Sequence, residues 1–189
     1  AHPEPHPAAT RAATAGVPVI SEVELAMRAA PQAGIVAVTG TNGKSTTTAL
    51  IGHCLAAAGM PVAVGGNIGE AACALADPGP GGVIVLELSS YQLETTPSLR
   101  AAIAILLNIT PDHLARHGGM DGYVAAKARI LDAVPTGGLA VFATDEAPVS
   151  TLARAFAAAG GSAVTVSATD APATVRDVAA LAGPHNAVN

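Results

Sequence analysis

From Ile35 onward, short runs of branched aliphatic residues alternate with alanine-rich stretches of helical period, the pattern of βαβ units around a mostly parallel sheet. The strand candidates are Ile35–Thr39, Val62–Val64, Val83–Leu88, Ile103–Leu107, Leu139–Phe142 and Ala163–Val166. Helices are expected near Ser45–Ala58, Ile68–Ala76, Gly122–Ala133 and Ala147–Ala159. Crossover connections cover both faces of such a sheet, so the fold class is α/β with flanking helices. With 50% hydrophobic but only 2% aromatic residues, the core must be made of Ala, Val, Ile and Leu, which suits close packing of helix on sheet. Ligands of these sheets bind beyond the carboxyl ends of the strands, and the chemistry is to be sought there.

Upstream of Ile35, residues Ala1 to Thr10 are rich in Pro and His and read as an extended connector. His2 and His6 could ligate a metal, although isolated loop histidines usually bind nothing. Ser21 opens a helix running to Ala30, with Glu24 as its capping-box partner and Pro31 as its stop.

Charge narrows the partners. Nine Lys and Arg against fourteen Asp and Glu give a net charge of −5, which leaves no basic field for nucleic acid or an anionic membrane. No apolar run reaches a membrane span, and the N-terminus has no signal-peptide layout. Cys54 and Cys73 have neither disulfide-framework nor zinc-site spacing, so a reducing cytoplasm is the expected setting. The opening Ala1, and the start of a helix at Gly183–Asn189, predict that the chain is part of a longer protein.

The strand Ile35–Thr39 runs directly into Gly40-Thr41-Asn42-Gly43-Lys44-Ser45-Thr46 and then into a helix. Glycines let backbone N–H groups converge on an anion, and the helix N-terminus adds positive potential. A lysine there neutralises β/γ-phosphate charge and a hydroxyl ligates Mg²⁺. Lys44 and Ser45 fit those roles, in a variant of the phosphate loop whose first glycine position holds Val38. Glu87 closes an apolar strand beside it. A buried carboxylate needs a cation, either a lysine or Mg²⁺, and its central position favours the metal.

Other polar groups cluster at strand ends. His113, after Asn108-Ile109-Thr110-Pro111-Asp112, can ligate a metal, donate to an anionic substrate, or serve as an ordinary hydrogen-bonding loop residue. Asn67, in Gly65-Gly66-Asn67-Ile68-Gly69, either binds substrate or caps the following helix. Lys127, between small neighbours on a helix, reads as a solvated surface lysine. Asn186 and Asn189 share a helix face, and Asn186 could equally be an N-cap.

Taken in order, these motifs, with Leu86-Glu87-Leu88-Ser89-Ser90-Tyr91-Gln92-Leu93-Glu94 and Ala125-Ala126-Lys127, resemble the Mur ligase family of peptidoglycan precursor synthesis. The Gly-Lys-Ser-Thr ending and the Glu-Leu-Ser-Ser-Tyr-Gln-Leu string are similar to its D-glutamate-adding branch. The resemblance implies three domains. Residues 1–31 would be the end of an N-terminal UDP-substrate domain with its linker, and residues 32–189 a truncated central ATP-binding domain. The C-terminal amino-acid-binding domain would be absent. It also implies that a hairpin is missing between Ser162 and Gly183.

Carried over residue by residue, Lys44 would hold the β/γ-phosphates of ATP, with Thr41, Asn42, Gly43, Ser45 and Thr46 forming the cradle. Ser45 and Glu87 would bind one Mg²⁺; His113 and a carbamylated Lys127 would serve a second. Asn67, Ser89 and His113 would face the UDP-sugar peptide precursor, and Asn186 and Asn189 the adenine. The implied reaction is ATP-dependent addition of D-glutamate through an acyl phosphate, by a monomeric enzyme. Lys44, His113 and Lys127 would be the catalytic residues, and the fragment alone would only bind nucleotide. Two other readings stand beside this one: a ligase of the same family acting on another amino acid, and a nucleotide-binding module without catalysis.

Overall fold

Each aliphatic run becomes a strand. The structure, a computed structural model, describes residues 6–170; His2, Asn186, Asn189 and most of the segment from which a hairpin is expected to be missing lie outside the described residues. The strands are β1 (Gly34–Thr39), β2 (Val62–Gly66), β3 (Val83–Glu87), β4 (Ile103–Leu106), β5 (Leu139–Ala143) and β6 (Ser162–Val166). All pair in parallel, in the order β2-β3-β1-β4-β5-β6. β1 is therefore central, with Val38 opposite Glu87 of β3 on one side and Ile105 of β4 on the other.

The helices are α1 (Pro7–Thr14), α2 (Glu22–Arg28), α3 (Lys44–Ala57), α4 (Ser90–Glu94), α5 (Leu114–His117), α6 (Met120–Asp132) and α7 (Ala147–Ala158). The two-residue period of β1 divides its side chains between the faces of the sheet. Ile35 and Ala37 join Ile84, Leu86 and Val23 in one cluster; Val36 and Val38 join Val85, with Ile51 and Leu55 of α3 packed against them. A third cluster, around Phe142, Tyr123 and Val149, seats α6 and α7 beside β5. Small residues permit the close approaches. A Cβ at Gly52 of α3 would clash with Val64, and one at Gly66, where φ is +101°, would strike the Glu87 carbonyl.

Four sequence expectations are corrected. The segment read as an extended connector forms α1 from Pro7, because proline at a first helical position has no N–H to lose and the following Ala-rich stretch favours helix. The helix expected over Ile68–Ala76 is only a 3₁₀ turn at Ala72–Ala74. Left-handed Gly66 and Gly69, with Gly66 N–H bonded to the Glu70 carbonyl and Asn67 N–H to that of Glu87, commit the chain to a turn instead. α2 ends at Arg28 rather than at Ala30, since Ala30 already has φ +51°.

The capping box of α2 is only half formed. Ser21 Oγ accepts the Glu24 N–H at 3.1 Å, but the Glu24 side chain turns away. It accepts from Arg28 Nε at 2.9 Å and from the Ser98 N–H and hydroxyl at 2.9 and 2.8 Å, tying α2 to the turn before β4. Burial alone would raise the Glu24 pKa, but these hydrogen bonds and Arg28 outweigh it and hold the carboxyl below its usual range.

The sign of the resulting pH dependence is fixed. A depressed folded pKa adds stability above the unfolded value of about 4.3, and that stability disappears as pH falls through the folded value. Glu24→Gln is expected to destabilise the fold by about 1–3 kcal/mol near neutral pH. Denaturant unfolding as a function of pH should show the gap to the parent closing below about pH 4.

Candidate active site

The loop between β1 and α3 is shaped by what surrounds it. Gly40 is forced to be small, because a Cβ there would lie 2.9 Å from Leu107 Cβ and 3.3 Å from the Asn108 nitrogen. Asn108 then clips the loop from both sides: its Oδ1 accepts the Asn42 N–H at 2.8 Å and its Nδ2 donates to the Asn42 carbonyl at 3.0 Å. Thr41 N–H donates to the Asn108 carbonyl at 2.8 Å, and Thr41 Oγ1 meets the Tyr123 hydroxyl at 3.1 Å. Burial raises the Tyr123 pKa, so its phenol stays protonated and shares that bond.

Gly43, at φ +80°, turns the chain into α3 without any side-chain cap. The first intrahelical bond is Thr47 N–H to the Gly43 carbonyl, which leaves the N–H groups of Lys44, Ser45 and Thr46 directed off the helix end. This is the arrangement that attracts phosphate. Lys44 Nζ folds back onto the Thr41 carbonyl at 2.9 Å, adding an ammonium to the same concave loop. The missing first glycine is thereby explained: Val38 points into the core from β1 and is fully buried, and the turn begins two residues later.

Glu87 ends β3 with 2% exposure, and among the described residues its hydrogen-bond partners are neutral. Its Oε2 accepts from Ser45 Oγ at 2.7 Å and its Oε1 from Asn67 Nδ2 at 2.7 Å. Neutral donors alone compensate a buried anion poorly. The pair Ser45 Oγ and Glu87 Oε2 offers the hard oxygens that Mg²⁺ prefers, beside a loop built for phosphate, and Mg²⁺ commonly takes only one or two protein oxygens together with waters and substrate phosphates. The residues therefore fit the ion. Among the described residues, no group of three or more His, Cys, Asp and Glu converges on a metal-sized gap.

Asn67 is not a helix cap, since no α-helix follows it; its amide is committed to Glu87. Ser89 caps α4 in a full capping box with Gln92. His113 sits in left-handed backbone at φ +49°, its side chain 51% exposed and its Nε2 3.4 Å from Asp112 Oδ2.

Lys127 contradicts the surface reading. It is 2% exposed, its Nζ donates to the Gly40 carbonyl at 2.6 Å, and it lies 4.8 Å from the centre of the Tyr123 ring. Burial, and then the nearby charge of Lys44, pull its pKa down to about 7, so much of the amine is neutral at physiological pH. Small alanine neighbours on α6 in sequence did not signal this, because they leave room beneath the protein surface as readily as above it.

Lys44, Asn67, Ser89, His113 and Lys127 line one cavity of about 350 Å³ at the carboxyl ends of the strands. Six residues beyond the sequence candidates take part: Tyr91, Asp112 and Tyr123 in the lining, Asn108 in the loop clip, and Ser90, also in the lining, with His117. The last two meet at 3.0 Å between Ser90 Oγ and His117 Nε2, while His117 Nδ1 lies 3.2 Å from Glu94. Asn108 lay within the polar strand-end cluster and could have been singled out; His117 carried no signal of its own.

The profile of the Mur ligase middle domain matches residues 38–183, most of the chain and nearly all of the site just described. The chain belongs to the Mur ligase family. Among curated relatives, this Mur ligase segment is 56% identical over 147 residues to UDP-N-acetylmuramoylalanine–D-glutamate ligase of Paramagnetospirillum magneticum, covering 78% of this chain and 32% of that protein. The enzyme of the same name from Caulobacter vibrioides is 55% identical over 152 residues, covering 77% and 32%. The chain thus spans about a third of the length of the curated relatives it matches.

Solved Mur ligases share the fold. A UDP-N-acetylmuramoyl-L-alanyl-D-glutamate–2,6-diaminopimelate ligase superposes with a TM-score of 0.61 at 27% identity, over 76% of this chain and 34% of that one. MurF ligase from Thermotoga maritima, determined in complex with ADP, gives 0.59 at 20% identity over 76% and 35%. Cys54 and Cys73 are free and exposed, and no described helix is long and apolar enough to cross a membrane.

Proposed function

We propose that the whole protein is a cytoplasmic, monomeric ATP-dependent ligase that adds D-glutamate to UDP-N-acetylmuramoyl-L-alanine, and that residues 32–189 are its central ATP-binding domain. Residues 1–31 would end the UDP-substrate domain, and the domain that takes D-glutamate lies outside this chain. The observation that carries this reading is the Ser45–Glu87 contact beneath the uncapped α3 N-terminus, in a stretch 56% identical to a ligase of that name.

In this reading the triphosphate of ATP lies along Thr41–Thr46, with the α3 N–H groups on its oxygens and Lys44 on the β/γ-phosphates. Asn186 and Asn189 take the adenine. When bound, one Mg²⁺ would be held by Ser45 and Glu87 and a second would be served by His113 and Lys127, and the chemistry they would supply is charge neutralisation at the transferred phosphoryl group. A terminal carboxylate oxygen of the precursor attacks the γ-phosphorus and ADP departs, giving an acyl phosphate. The amino group of D-glutamate then attacks the acyl carbon, phosphate leaves, and the nitrogen loses its proton. Asn67, Ser89 and His113 orient the precursor, so that two anions meet in a fixed geometry.

Lys127 acts as a carbamate. Its neutral amine adds to CO₂ and loses one proton to solvent, which turns an uncharged group into an anion with oxygen ligands for Mg²⁺. A pKa of about 7 supports this, because the deprotonated amine is the reacting form. Full-length protein equilibrated with carbon-13 bicarbonate is expected to show a carbamate resonance that is missing from Lys127→Met.

The decisive assay is amide-bond formation by the full-length protein across a panel of amino acids. D-glutamate is the expected acceptor. Preference for another amino acid would move the protein to a sister ligase, and nucleotide binding without amide formation would make it a non-catalytic module.

A further inference from the structure

We propose that Glu22 is a positioning residue that fixes the polarity of the Ser89 hydroxyl, so that Ser89 shows the cavity a lone pair and selects a precursor group bearing an N–H. The inference rests on the ligase reading above and specifies which precursor atom Ser89 recognises: the amide nitrogen joining the muramoyl group to alanine.

The geometry leaves one consistent assignment. Glu22 Oε1 accepts from Gln92 Nε2 at 3.0 Å, and Glu22 Oε2 accepts the Cys73 N–H at 3.1 Å. A carboxylate only accepts, so the Gln92 nitrogen must face Glu22 and the Gln92 oxygen must face away from it. That oxygen receives the Ser89 N–H at 3.0 Å and the Ser89 hydroxyl at 2.9 Å. Ser89 Oγ meanwhile accepts the Gln92 N–H at 3.3 Å. A hydroxyl has one proton and two lone pairs; the proton and one lone pair are consumed within the cap of α4. The remaining lone pair is what Ser89 offers to the cavity it lines.

A polar group of fixed sign discriminates strongly against a ligand atom of the same sign. The amide N–H of the precursor is of the matching kind. An ester analogue with L-lactate in place of L-alanine keeps the terminal carboxylate and nearly the same shape, but sets an oxygen lone pair against Ser89.

The test is the amide-to-ester ratio of kcat/KM in the full-length enzyme. The parent is expected to prefer the amide by about tenfold or more. In Glu22→Gln, the Cys73 N–H retains the oxygen of the new amide, whose NH₂ then opposes that of Gln92. The Gln92 side chain is driven out of the cap, because rotating its amide in place would set its NH₂ against the Ser89 N–H; the Ser89 proton is released, and the ratio falls toward unity. Exchanging the pair, Glu22→Gln with Gln92→Glu, restores a chain in which Ser89 faces only an acceptor, at unchanged net charge, and the amide preference returns. Gln92→Ala frees the hydroxyl by a second route and also lowers the ratio. The affinities for MgATP and D-glutamate stay at parental values.

A ligating parent without amide preference, a ratio unmoved in both Glu22→Gln and Gln92→Ala, or an exchanged pair that fails to recover it would overturn the proposal. So would an effect confined to the KM for D-glutamate, which would place Ser89 against the incoming amino group. A parent that forms no amide bond at all would instead count against the ligase reading itself.

Discussion

Full-length protein carrying Lys44→Ala is expected to lose ligation by 10²–10³-fold or more, on the order of the cost of removing a key electrostatic donor. Lys44 is the one ammonium within the loop itself, and its Nζ lies 2.9 Å from the Thr41 carbonyl, inside the curve that the α3 N–H groups close. Its removal leaves the fold intact, because the side chain is only half-buried and makes no other hydrogen bond among the described residues. The loss should therefore appear in kcat and in nucleotide affinity, with the thermal midpoint unchanged. Parental rates in that variant would withdraw the phosphate-loop assignment.

Glu87→Gln separates function from folding. In the folded protein a glutamine at this position can keep both contacts: its oxygen accepts from Asn67 Nδ2, and its NH₂ donates to Ser45 Oγ, whose hydroxyl simply reverses. The variant also removes a buried charge whose hydrogen-bond partners, Ser45 and Asn67, are both neutral. Stability is expected to change by less than about 1 kcal/mol, with a gain more natural than a loss. Mg²⁺-dependent nucleotide binding, by contrast, should weaken by roughly 10²-fold, since an amide is a poor replacement for a carboxylate on a hard divalent cation. Calorimetry with and without Mg²⁺, beside denaturant unfolding, reads both quantities. A variant that kept its full metal dependence would place the ion elsewhere.

The inner strands were legible because parallel strands buried on both faces must be continuous aliphatic runs, whereas β6, exposed at Ser162, Val164 and Thr165, shows only as a short β-rich stretch at the sheet edge; all six occur where expected, β3 and β4 one residue shorter. α6 and α7 were legible from their periodicity, and α3 from its composition directly after the glycine loop, all to within two residues at each end. The failures have local causes. The stretch after Gly66 has helical composition, but two left-handed glycines and the hydrogen bonds of Gly66 and Asn67 override it. α4 has its only sequence signal in the capping box of Ser89 and Gln92, since a helix of five residues is too short to show a hydrophobic period.

Within the site, Lys44, Ser45 and Glu87 were legible because spacing along a strand-loop-helix unit fixes them. The burial of Lys127 was not, since it depends on α6 packing over Gly40, a contact 87 residues away in the chain.

α6 carries Tyr123 and Lys127 one turn apart, and the two side chains reach Thr41 and Gly40, adjacent residues of the loop. A single rigid rod thus grips the entrance of the phosphate cradle at two consecutive points. Any occupant that draws the Lys127 nitrogen toward itself must release the Gly40 carbonyl, so its binding and that of a nucleotide are energetically linked, and by thermodynamic reciprocity each alters the other's affinity by the same factor.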